Sequence, residues 1–196
     1  MRVNPPFIKA LAESKSLMVL SLTLGSKNKA SALGSLHMHP ALQELNLNFS
    51  GFSEISLHIH LPSLQTLRMY RIGYSPQSWR DFFQVLCKSR GNGGSNGPNP
   101  TLIYLPNLQF LHINSGHSVT QQDSAMPQLL RPEVLAALPR SKLVSIQLAQ
   151  VSPGTAGYLS QWQALGPRNS LGQLITLTIG EPLPWGQAGD RPWFEA

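Results

Sequence analysis

Aliphatic residues recur along this chain in the phase Leu-x-x-Leu-x-Leu, with Ile or Met replacing Leu at some positions. Six copies run from Leu17, Leu20, Leu22 through Leu42, Leu45, Leu47; Leu64, Leu67, Met69; Leu108, Leu111, Ile113; and Leu143, Ile146, Leu148 to Leu174, Leu177, Ile179. Their first positions are separated by 25, 22, 44, 35 and 31 residues, so the third gap is two units of 22 or one unit with an insertion. The second and third aliphatics mostly alternate with polar residues, the period of a half-buried strand. The first aliphatic is placed to pack the turn entering that strand. Strands are therefore expected at 19–23, 44–48, 66–70, 110–114, 145–149 and 176–180. A lone strand of this kind cannot bury its apolar face, so successive copies must stack around a shared core.

Helical patterns fill the segments between copies. Ser75-Pro76 places a cap residue before a proline at the first helical position, followed by an apolar face of Trp79, Phe82, Phe83 and Leu86. A second helix is expected from Pro132 through Val134, Leu135 and Leu138, ended by Pro139. A third starts at Pro6 through Phe7, Ile8 and Leu11, and a fourth carries Tyr158, Trp162 and Leu165. The unit reads helix, loop, strand. A helical bundle is excluded because the strand segments carry a period-2 alternation and are too short to be bundle helices.

With this unit in hand, the chain resembles the leucine-rich-repeat family. Phrases such as Pro62-Ser63-Leu64-Gln65-Thr66-Leu67 and Pro106-Asn107-Leu108-Gln109-Phe110-Leu111 are most similar to the repeat region of fungal F-box proteins, over residues 7–179. The asparagine of regular repeats is missing after the strands in most copies. The resemblance implies an α/β solenoid of about six irregular repeats, with a curved parallel sheet on the concave face and short helices on the convex face. It implies one domain over 1–180, interrupted by an insertion at 91–100, with 181–196 as a C-terminal cap or tail. It further implies a protein-binding module, the substrate-recognition part of an F-box-type ubiquitin ligase receptor. No F-box module is evident ahead of the first copy, so a repeat-only form or a fragment of a longer chain is expected.

Composition narrows the alternatives. Of 196 residues, 41% are hydrophobic and 12% charged, which supplies a core and excludes a highly charged disordered tail. No run of ~18 apolar residues occurs, so no transmembrane helix is expected, and the N-terminus does not read as a signal peptide. The single Cys87 excludes an internal disulfide and a cysteine-rich zinc site. A cytoplasmic or nuclear protein without cofactor is expected, a monomer in itself or part of a larger complex. The net charge of +6 raises nucleic-acid or anionic-surface binding as a rival. Against it, the cations are scattered, with no basic run interleaved with aromatics.

Candidate chemistry is sparse. His37 and His39, and His58 and His60, form two i, i+2 pairs 21 residues apart, a spacing close to one repeat that can stack imidazoles into a metal site. The alternative is ordinary strand positions alternating with Leu57, Ile59 and Leu61. Residues 91–100 are glycine-rich but lack the Gly-Lys-Ser/Thr of a phosphate loop, so they read as a flexible insertion. Residues 115–126 read as an exposed polar loop. No Gly-x-Ser-x-Gly elbow or His-Glu-x-x-His occurs, and the three aspartates (Asp81, Asp123, Asp190) form no metal signature, so no enzyme is expected. Cys87 reads as a small buried hydrophobe.

If the aliphatics point inward, the residues between them face outward. The expected partner-binding face holds Glu44, Asn46, Thr66, Arg68, Tyr70, Phe110, His112, Asn114 and Gln147, with Arg68, Tyr70, Phe110 and His112 at its centre.

Overall fold

The computed structural model describes residues 14–24, 39–49, 59–70, 76–87, 103–114, 125–149 and 155–180. The helix expected from Pro6, the insertion at 91–100, the stretch 115–124 and the C-terminal segment 181–196 lie outside the described residues.

The six expected strands form. They are β1 (Val19–Leu24), β2 (Glu44–Phe49), β4 (Thr66–Tyr70), β6 (Phe110–Asn114), β7 (Ser145–Leu148) and β8 (Thr176–Ile179). They make one parallel sheet in the order β1-β2-β4-β6-β7-β8, which is their order along the chain. The fold is thus mixed α/β around a six-stranded parallel sheet. Register follows the motif: Leu20, Leu45, Leu67, Leu111, Ile146 and Leu177 align in one row, and Leu22, Leu47, Met69, Ile113, Leu148 and Ile179 in the next. A slip by one residue would turn these rows to solvent, so burial of one face enforces the alignment.

Two short strands, β3 (Ile59–His60) and β5 (Ile103–Tyr104), pair in parallel as a second sheet. Each runs into a tight turn, Leu61–Leu64 or Leu105–Leu108, closed by the leucine N–H donating back three residues at 3.3 and 3.2 Å. Ahead of the main sheet, one hydrogen-bond pattern repeats four times. The carbonyls of Met18, Gln43, Gln65 and Gln109 each accept two successive N–H groups from the next copy, at 2.8–3.1 Å. Side chains tie the turns together as well: Ser63 Oγ donates to the Pro40 carbonyl, and Asn107 Nδ2 to the Pro62 carbonyl at 2.7 Å.

The inward rows share one core with the helices. Helix α1 (Pro76–Cys87) starts on the expected proline and buries Trp79, Phe82, Phe83, Leu86 and Cys87. Helix α4 (Thr155–Leu165) buries Trp162, whose Nε1 donates to the Ile175 carbonyl at 2.9 Å. Cys87 is 1% exposed, and burial pushes its thiol up to about 12, against a weaker lowering by a hydrogen bond with Ser141. At pH 8 the thiolate is then about one part in ten thousand. Labelling by an aromatic disulfide at pH 8 is expected to be more than a hundredfold slower in the folded chain than in denaturant. Equal rates in both would show that the thiol is open to solvent.

Four expectations are corrected. Residues 125 and 126, read as the end of a polar loop, belong to the short helix α2 (Ala125–Leu129), and Ala125 and Met126 are buried. Their apolar side chains reach the common core, which outweighs the polar run before them. The helix expected from Pro132 to Pro139 divides into α3 (Pro132–Leu135) and a 3-10 turn, Leu138–Arg140. Pro139 lies inside that turn, near its start, where a missing N–H costs nothing. Leu165, expected on the apolar face of α4, is 55% exposed. In the sixth copy Leu174 is 55% exposed and Ile175, at 3%, fills the turn position. The turn before it changes the phase: Gly166 (φ 54°) and Gly172 (φ 75°) take left-handed conformations, and Arg168 and Leu174 form an antiparallel bridge. Asn169, 3% exposed, closes this turn by donating to the Leu143 carbonyl at 3.0 Å and accepting from the N–H groups of Leu171 and Gln173.

Candidate functional site

The face of the main sheet opposite the aliphatic rows carries three further rows. The first runs Val19, Glu44, Thr66, Phe110, Ser145, Thr176, and the second Ser21, Asn46, Arg68, His112, Gln147, Thr178. The third runs Thr23, Asn48, Tyr70, Asn114. Neighbouring strands stand about 4.8 Å apart, so side chains in one row cover one another's flanks. All nine expected face residues share this face, and the structure brings Arg68, Tyr70, Phe110 and His112 to adjacent positions on β4 and β6.

Polar contacts organise the centre. Arg68 Nη1 forms an ion pair with Glu44 Oε1 on the neighbouring strand and donates to Asn46 Oδ1 at 3.3 Å. Asn46 Nδ2 in turn donates to Glu44 Oε1 and to Ser21 Oγ, both at 3.0 Å. The Arg68 charge is thus compensated within the face. Across β4 and β6 the rings of Tyr70 and His112 lie 5.4 Å apart, tilted by 39°.

Exposure divides the nine. Phe110 is 44% exposed, while Tyr70, His112 and Asn114 are 7% exposed each. The alternation that turns these three away from the aliphatic core does not by itself leave them in solvent. Burial, supported by the Glu44 charge and opposed by that of Arg68, raises the Tyr70 phenol. Burial and then the Arg68 charge lower His112, against a hydrogen bond with Gln147 that raises it.

A pH dependence follows. The fold favours neutral His112, so the folded chain holds this proton less tightly than the unfolded one. The stability from neutral His112 is complete above the unfolded value of about 6.5 and is lost as pH falls through the lower folded value. The melting-temperature difference between the native chain and His112→Gln is expected to shrink from pH 7.5 to pH 5. A difference independent of pH would contradict it.

Of the two histidine pairs, His39 and His60 lie among the described residues. His39 is 2% exposed and both ring nitrogens are engaged: Nε2 donates to the Ser14 carbonyl at 2.7 Å, and Nδ1 accepts from the Ala41 N–H at 3.3 Å. His60 packs edge-on against Tyr104 at 4.6 Å. His37 and His58 lie outside the described residues. Among the described residues no three His, Cys, Asp or Glu groups cluster to hold a metal, and no helix is long and apolar enough to cross a membrane.

Sequence reasoning missed a second feature, a cavity beside Cys87 with Arg140 and Lys142 among its lining residues. The two cations either side of Ser141 were visible in the sequence, but the walls come from segments far apart in the chain. No protein-family model matches this chain, and no curated protein matches it.

Proposed function

We propose that this chain is a leucine-rich-repeat solenoid and a non-enzymatic protein-binding module, recognising its partner on the outer, concave face of the six-stranded sheet. The observation that carries the reading is the in-register outer surface, with half-exposed Phe110 beside Arg68 at its centre. Exposed aromatic and arginine side chains on a rigid sheet are the usual anchors of protein interfaces. A sheet whose strand order follows the chain, with one hydrogen-bond pattern repeated between copies, supports the solenoid. Arg68 is the one Lys or Arg in the three outer rows and is paired with Glu44, which argues against a phosphate-tracking groove. The more specific role, substrate recognition within an F-box-type ubiquitin ligase in the cytoplasm or nucleus, rests on the resemblance of the repeats.

The test is a double substitution, Phe110→Ala with Arg68→Ala, measured against a partner captured with the intact chain. Tyr70 is a poorer probe, because its burial mixes binding with stability. Affinity is expected to fall at least tenfold, with a melting temperature within a few degrees of the native chain. Unchanged affinity in a folded variant would remove the outer face as the binding surface. A steep loss of affinity with added salt would favour a nucleic-acid partner instead.

A further inference from the structure

The main sheet ends on β8, and among the described residues the far side of that strand is paired only at its start. The Ile175 N–H donates to the Pro167 carbonyl at 2.9 Å, and the Ile175 carbonyl accepts from Trp162 Nε1 at 2.9 Å. Beyond Ile175 this pairing stops. Thr176 and Gly180 donate their N–H groups to the carbonyls of Val144 and Leu148 at 2.9 and 3.1 Å. Backbone groups of successive strand residues point to opposite edges, so the N–H and C=O groups of Leu177 and Ile179 point away from β7. Among the described residues no strand lies beyond them.

The same end of the sheet carries an apolar patch. Six large hydrophobic side chains stand exposed among the described residues, and three of them, Leu165, Leu171 and Leu174, fall within one ten-residue stretch at 55%, 66% and 55%. The antiparallel bridge between Arg168 and Leu174 folds this stretch back on itself. Leu174 Cδ2 lies 3.6 Å from where a Cβ on Gly166 would stand, which sets it beside the end of α4. Arg168 is the one charged residue between 155 and 180. An open strand edge and exposed leucines thus meet at the point where residues 181–196 leave β8.

We propose that residues 181–196 turn back along β8, pair with the open backbone groups of Leu177 and Ile179, and lay Trp185, Trp193 and Phe194 on the leucine patch. Length agrees: the path from Gly180 back to Ile175 is about 17 Å of strand, while the segment, fully extended, reaches about 50 Å. Composition agrees, because the segment holds two of the chain's four tryptophans. Charge agrees as well. Glu181, Asp190 and Glu195 against Arg191 leave the segment a net −2 in a chain of +6, opposite in sign to Arg168. A second copy of the chain is the weaker occupant. Two open strand residues and three leucines fall short of the roughly 1,200 Å² that a stable interface buries, whereas a tethered segment acts at an effective concentration in the millimolar range. This end of the sheet lies apart from Arg68 and Phe110, and the proposal does not depend on the protein-binding reading.

The experiment is amide hydrogen exchange of the full chain, read residue by residue by NMR. In the native chain Leu177 and Ile179 are expected to exchange at least tenfold more slowly than in a full-length variant carrying Trp185→Ala, Trp193→Ala and Phe194→Ala. Thr178, whose N–H faces β7, reports that the variant stays folded and is expected to keep its protection. A second variant, Leu171→Asp with Leu174→Asp, changes only exposed side chains of the patch and is expected to lose the same protection at Leu177 and Ile179. Exchange of Leu177 and Ile179 in the native chain at the rate of an open amide would overturn the proposal. So would full protection of both in the two folded variants. Protection that rises as the native chain is concentrated would overturn it too, by assigning the edge to a second copy.

Discussion

Leu67→Asp is expected to leave the chain without a cooperative folded state at 25 °C. Leu67 is fully buried on β4, in register between Leu45 and Leu111, in the core shared by sheet and helices. An aspartate there loses the apolar contacts of leucine and places a carboxylate where no partner reaches it, at a cost of several kcal/mol. Domains of this size are stable by only about 5–15 kcal/mol in total. Because each strand is completed by its neighbours, the damage passes to β2 and β6. Thr178→Asp, at an exposed outward position on β8, is the control and is expected to shift the melting temperature by no more than about 2 °C. Circular dichroism against temperature and urea reads the difference. A cooperative melt of Leu67→Asp within about 5 °C of the native chain would refute a single shared core.

Trp79→Ala is expected to lower the melting temperature by about 10–15 °C. Trp79 is fully buried in α1, stacked on Phe83 at 5.7 Å and 20° and edge-on to Phe82 at 5.8 Å and 89°. Removing a buried tryptophan costs about 3–5 kcal/mol, and its aromatic pairs add to that. For a chain of this length each kcal/mol moves the midpoint by about 2–4 °C. Trp79→Phe keeps a ring in the cluster and is expected to recover at least half of the loss. Scanning calorimetry is the measurement, and a drop below about 3 °C for the alanine variant would show that α1 does not anchor the core.

The outer face was legible in its membership, because parity along a strand decides which side chains share a side. Its exposure was not. Tyr70, His112 and Asn114 leave the aliphatic core by parity and are nonetheless buried, since exposure depends on what lies across and above a strand. His39 illustrates the same limit: its paired spacing with His37 resembles a ligand pattern, while its ring is consumed by Ser14 and Ala41 in a turn.

The parallel direction of the strands was implied by the resemblance of the repeats. From the sequence alone came the strands and the rows of aliphatics they align, because both follow from a local period-2 pattern repeated in every copy. The same holds for the start of α1 at Pro76, where proline and an apolar face act within one helical turn. Only the tertiary structure decided the exchange of Leu174 for Ile175, the burial of Ala125 and Met126, the Arg68–Glu44–Asn46 network and the cavity beside Cys87. Each of these depends on side chains from segments distant in the chain, where packing and turn geometry outweigh local preference and no single stretch of sequence carries the outcome.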